Sequence, residues 1–111
     1  MGMTHTHLKD EVIKMDSQKI VSAIIDHVSI RGGQQSSWYV GIAANARKRL
    51  FDEHNVREEK GKWIYKTADN SQEARDAEST LLDYGFDGGP GGGDESTNQV
   101  YAYLKTQSTR E

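Results

Sequence analysis

The sequence contains no cysteine. Disulfides, thiolate metal sites and cysteine nucleophiles are all excluded at once. It has a single proline, and no apolar run reaches the ~18 residues of a membrane span or forms the h-region of a signal peptide. Apolar residues are scarce as well, at 34% of 111, against 28% charged. The mean hydropathy is −0.82. Globular domains run to about half apolar, so the core is thin or the chain ends lie outside it. Positive charge is also short: the net charge is −3 and the pI is near 5.8. Any grip on nucleic acid must come from a local patch. The length allows one domain, and the composition predicts a soluble, cytoplasmic α+β protein.

The ends read as polar. Met1-Gly2-Met3 is expected to be an expression scar, and His5 and His7 belong to a flexible tail over 1–15 rather than to a metal site. One domain is expected over 16–104, with a Gly-rich loop at 85–98 and a C-terminal tail at 105–111. Ile20, Val21, Ile24, Ile25 and Val28 recur at helical spacing after a cap at Asp16 or Ser17, predicting a helix over 17–27. Their apolar face serves either the core or a protein partner or homodimer. Residues 31–37 break the pattern. Trp38 to Ile42 reads as a strand, with Trp38, Val40 and Ile42 on one face and Tyr39 and Gly41 on the other.

Asn45 can cap a second helix, 46–54, and the charged run 55–62 is a loop. A strand follows at 63–67. Asn70 and Glu73 have capping-box spacing ahead of a third helix, 71–84. Six glycines and the only proline fill 85–93, and Val100 to Leu104 alternates as a final strand. This order predicts a small antiparallel or mixed sheet of about three strands flanked by helices.

Glu78, Arg49, His54 and the strand tyrosines stand out. Glu78 falls on the inward stripe of the third helix with Ala74, Ala77, Leu81 and Leu82. A carboxylate there must be paired, hydrogen-bonded or metal-bound. Arg49, in the basic triplet Arg47-Lys48-Arg49, is either part of a solvated face or a phosphate ligand. His54 can cap its helix or shuttle protons. Tyr39, Tyr65, Tyr101 and Tyr103 sit in strands, where tyrosines normally pack half-buried with the hydroxyl at the rim. The segment Asp87 to Asp94 matches no phosphate-binding loop and reads as a close-approach or mobile loop.

Taken in order, Tyr39-Val40-Gly41, Lys48-Arg49-Leu50, His54 and Ala74-Arg75-Asp76-Ala77-Glu78 resemble the GIY-YIG nuclease superfamily. The resemblance covers about residues 38–84 and rests on order and spacing. It implies a GIY-YIG-like fold and a metal-dependent phosphodiester hydrolase of the DNA endonuclease type. Glu78 would bind Mg²⁺ or Mn²⁺, Arg49 would bind phosphate, Tyr39 would position or deprotonate water, and His54 would assist. DNA is the implied partner. The alternative is a non-catalytic interaction or nucleic-acid-binding module on the same fold. No counterpart of the family's first motif precedes Tyr39, where residues 27–30 stand in its place. His54 follows Arg49 by five residues, against the family's more usual four.

Overall fold

A computed structural model of the chain describes residues 13–89 and 93–111. His5, His7 and the centre of the Gly-rich loop lie outside the described residues. In chain order the elements are β1 (Lys14–Met15), α1 (Ser17–Arg31), β2 (Trp38–Ala43), α2, β3 (Trp63–Ala68), α3 (Ser71–Asp83) and β4 (Gln99–Leu104). α2 begins as an α-helical turn (Ala46–Lys48) and continues as a π-helical one (Arg49–Glu53).

The result is an α+β fold whose mixed sheet has four strands in the order β1-β3-β4-β2. The sequence pattern anticipates only three. The fourth, β1, lies inside the segment expected to be a tail and pairs in parallel with β3 through Lys14↔Thr67 and Met15↔Ala68. Two residues carry no periodicity, so only the pairing reveals them. β4 lies between β3 and β2, antiparallel to both.

The faces alternate as the strand pattern requires. Trp38, Val40, Ile42, Ala68, Val100 and Ala102 form one core with Ile20, Ile24 and Val28 of α1 and Ala74, Ala77 and Leu81 of α3. The Ile and Val face of α1 thus belongs to the core. The opposite face packs Ala43, Tyr101 and Tyr103 against Ala46 and Leu50 of α2, flanked by Tyr39, Phe51, Trp63 and Tyr65. Burying each such large side chain contributes about 1.5–3 kcal/mol.

The caps explain the helix ends. Asp16 accepts from Lys19 N at 2.9 Å, and α1 runs four residues past 27 until Gly32, at φ +97°, donates to Val28 O. Asn70 caps α3 by accepting from Glu73 N. The Glu73 carboxylate does not complete the capping box. It accepts from Ser17 N at 2.7 Å and ties the start of α1 to the start of α3. Among the described residues no helix is long and apolar enough to cross a membrane.

Trp38 is fully buried, and His27 stands edge-on to it at 5.8 Å and 89°. Burial, then the charges of Arg31 and Lys66, hold the His27 pKa below its ordinary 6.5. The unfolded chain therefore binds a proton more readily than the fold does. The stability contribution is present above about pH 6.5 and is lost as pH falls towards the lower folded-state value. His27→Phe keeps a ring beside Trp38 and cannot titrate. Melting temperatures measured between pH 7.5 and 5 should fall less steeply for this variant than for the wild type, and equal slopes would refute the assignment.

Candidate functional site

β2 and β4 pair so that Tyr39 faces Tyr103 and Gly41 faces Tyr101. All three tyrosines project to the α2 side, where His54 closes the end of the helix. The His54 ring lies 5.0 Å from Tyr39, 5.4 Å from Tyr101 and 4.9 Å from Tyr103. Tyr39 and Tyr103 stack at 5.3 Å.

The hydrogen bonds fix the histidine tautomer. His54 Nδ1 lies 2.6 Å from the Arg110 carbonyl oxygen, which can only accept, so Nδ1 carries the proton. In the neutral ring Nε2 is then an acceptor, and the Tyr101 hydroxyl donates to it at 2.7 Å. Burial raises the Tyr101 pKa above its ordinary 10; Arg49 opposes that shift, while Tyr39, Glu53 and Glu78 add to it. Tyr101 therefore keeps its proton at neutral pH. The Tyr39 pKa is also raised, first by burial and then by Asp87, against the pull of Arg49 and with further contributions from Glu78 and Glu111. α2 and α3 cover opposite faces of the sheet.

The π turn accounts for the spacing of Arg49 and His54. His54 N donates to Arg49 O at 2.8 Å, the i+5 bond of a π turn, so five residues separate groups that an ordinary helix aligns at four. Arg49 Nε is 2.9 Å from Glu53 Oε1, in a pair exposed on both sides (41% and 50%). Such pairs contribute about 0–1 kcal/mol and yield readily to a stronger anion. Arg47 has a structural role: it pairs with Glu58 and its guanidinium lies 5.1 Å over the Phe51 ring and 5.6 Å over Trp63.

Gly41 is dictated by this packing. A Cβ there would overlap the Tyr101 hydroxyl and sit 2.6 Å from Tyr101 Cζ. Gly41→Ala should push the phenol away from His54 and destabilise the fold by about 1–3 kcal/mol. Thermal unfolding checks the stability, and the tyrosine near-ultraviolet dichroism checks the displacement.

Of the sequence-predicted residues, Tyr39 and His54 meet at the end of α2, the helix that carries Arg49, while Glu78 stands on α3, which packs on the other face of the sheet. Tyr101 and Tyr103 correct the expectation for strand tyrosines, since their exposures are 1% and 0%. Their signal was the alternation Tyr101-Ala102-Tyr103, which sets both on one face. What the alternation lacked was the neighbouring strand. The antiparallel partner of β2 comes from the end of the chain, whereas the residues just before β2 form α1 and a short 3₁₀ turn.

Glu78 is 4% exposed, on the inward stripe as expected. Its carboxylate is the hard oxygen donor that Mg²⁺ and Mn²⁺ prefer. Among the described residues no group of three or more His, Asp or Glu side chains gathers as a cage. Glu78 fits a site of one carboxylate completed by water and phosphate oxygens, a usual arrangement for Mg²⁺. Compared with protein-family models, with curated proteins and with solved structures, the chain matches none.

Proposed function

We propose that the chain is a metal-dependent phosphodiester hydrolase acting on DNA, a GIY-YIG-like nuclease whose second tyrosine comes from its last strand. The observation that carries this reading is the gathering of Tyr39, Tyr101 and Tyr103 around His54 at the end of the helix that carries Arg49, with Tyr101 hydrogen-bonded to His54. A buried phenol–imidazole hydrogen bond at the end of a helix that presents an exposed guanidinium supports acid–base work on a phosphate ester.

Arg49 is exposed enough to meet a phosphate and carries the planar fork suited to it. It would neutralise charge building on the phosphoryl oxygens. Tyr101 passes its proton to His54 Nε2 as it accepts one from the attacking water, so no free tyrosinate is needed. Tyr39, across the strand from Tyr103, orients that water. Tyr101 takes the part that the family resemblance gives to a tyrosine ahead of Tyr39. Mg²⁺ or Mn²⁺ held by Glu78 would polarise the scissile phosphate and stabilise the leaving oxygen.

Nicking of supercoiled DNA tests this reading. At low salt, where an acidic protein's few phosphate contacts are least screened, the wild type should nick with Mg²⁺ or Mn²⁺ and stop with EDTA. Absence of nicking with either ion would overturn catalysis and favour a binding module on the same scaffold.

A further inference from the structure

Residues 106–111 do not trail away from the domain as a tail. They turn back, with Thr109 N donating to Thr106 O, and lie against the tyrosine–histidine cluster. Hydrogen bonds hold them there, among them a long one of 3.5 Å from the Tyr103 hydroxyl to Arg110 O and four shorter ones. Arg110 N donates to His54 O at 2.7 Å, His54 Nδ1 donates to Arg110 O at 2.6 Å, Asn55 Nδ2 donates to Ser108 O at 2.8 Å, and the Tyr103 hydroxyl donates to Glu111 Oε2 at 2.9 Å. In all but the bond from Arg110 N the domain is the donor and the strap supplies an oxygen, one of them a carboxylate. The segment Thr106-Gln107-Ser108-Thr109-Arg110-Glu111 has no apolar side chain to bury. It is held by polar contacts alone, the weakest kind of tether against water. Beside it a cavity of about 240 Å³ is lined by Arg57 and Lys60 together with Thr106, Ser108 and Thr109.

We propose that the strap lies in a binding subsite for a phosphodiester backbone and is displaced when nucleic acid enters. The donors it occupies, Tyr103 O–H, His54 Nδ1–H and Asn55 Nδ2–H, are donors that phosphate oxygens accept from, and the Glu111 carboxylate holds the place of one phosphate. Arg57 and Lys60 flank the path with the charge such a backbone requires. The strap is therefore a built-in competitor, closing the site to weak anions and yielding to a polyanion. This regulation rests on the reading of the site as one that acts on phosphodiesters.

Amide hydrogen exchange of the full chain, with and without a saturating short DNA duplex at low salt, tests it. The Arg110 amide, bonded to His54 O, should lose protection on DNA binding while the β4 amides keep theirs. In parallel, Glu111→Gln should bind the duplex about threefold or more tighter, whereas Glu95→Gln, which removes an equal charge from an exposed position away from the strap, should change affinity by less than about twofold. An Arg110 amide still protected in the complex, or equal effects of the two substitutions, would overturn the proposal. The outcomes separate from those of catalysis. Strap release without nicking would keep the subsite and refute the hydrolase, and nicking with an unmoved strap would do the reverse.

Discussion

Glu78→Gln is expected to cut metal-dependent nicking by about 10²–10³-fold or more. The amide keeps the volume of the carboxylate but loses the charge that a divalent cation requires. Glu78 is 4% exposed, and the amide has nearly the same shape, so the substitution leaves the packing of α3 against the sheet in place. The melting temperature of Glu78→Gln at neutral pH should stay within a few degrees of the wild type while nicking is lost. Such a separation of activity from stability marks a residue kept for function. A fall in both together would mean that Glu78 is structural, held by a partner that the amide cannot satisfy.

The second large effect belongs to Tyr101. Tyr101→Phe removes the hydroxyl that donates to His54 Nε2 and leaves the ring in place over Gly41. The turnover rate should fall about 10²-fold with KM little changed, because the lost proton relay acts on the reaction and not on DNA binding. The same variant should alter the alkaline limb of stability. Burial raises the Tyr101 pKa in the fold, so its contribution is present below the ordinary value of 10 and is lost as pH rises above it. Tyr103, raised by burial and by its bond to Glu111, shares that limb. Melting curves from pH 8 to 11 should fall less steeply for Tyr101→Phe than for the wild type. An unchanged slope would count against a buried, protonated phenol.

Much of this architecture was legible in the residues. The spacing of Ile20, Ile24 and Val28, the caps at Asp16, Asn45 and Asn70, and the alternation through Trp38, Val40 and Ile42 are local signals, and local physics decides them. The burial of Glu78 followed from its place on the α3 stripe. What escaped was non-local. Alternation assigns a strand its faces but not its neighbours, so nothing in Val100 to Leu104 announces that β4 lies against β2 and carries Tyr101 over Gly41. The π turn is invisible for a similar reason: the spacing from Arg49 to His54 looks like a misfit until an i+5 hydrogen bond absorbs it. Polar residues 106–111 have no periodicity, and only the donors they meet give them a role.

The family resemblance and the strand order bear on each other. Read linearly, the chain lacks a tyrosine before Tyr39. Read through the sheet, two tyrosines stand across the ladder from β2. Within the acidic chain, Arg57 and Lys60 set positive charge beside the strap, where they line one cavity with Thr106, Ser108 and Thr109.

The most direct measurement is a single nicking experiment on supercoiled DNA with Mg²⁺ at low salt, comparing wild type, Glu78→Gln and Tyr101→Phe purified in parallel. The expected result is nicking by the wild type, none detectable by Glu78→Gln, and a rate lowered about 10²-fold by Tyr101→Phe. Equal nicking by all three would assign the activity to a contaminant and contradict the placement of catalysis between β2 and β4.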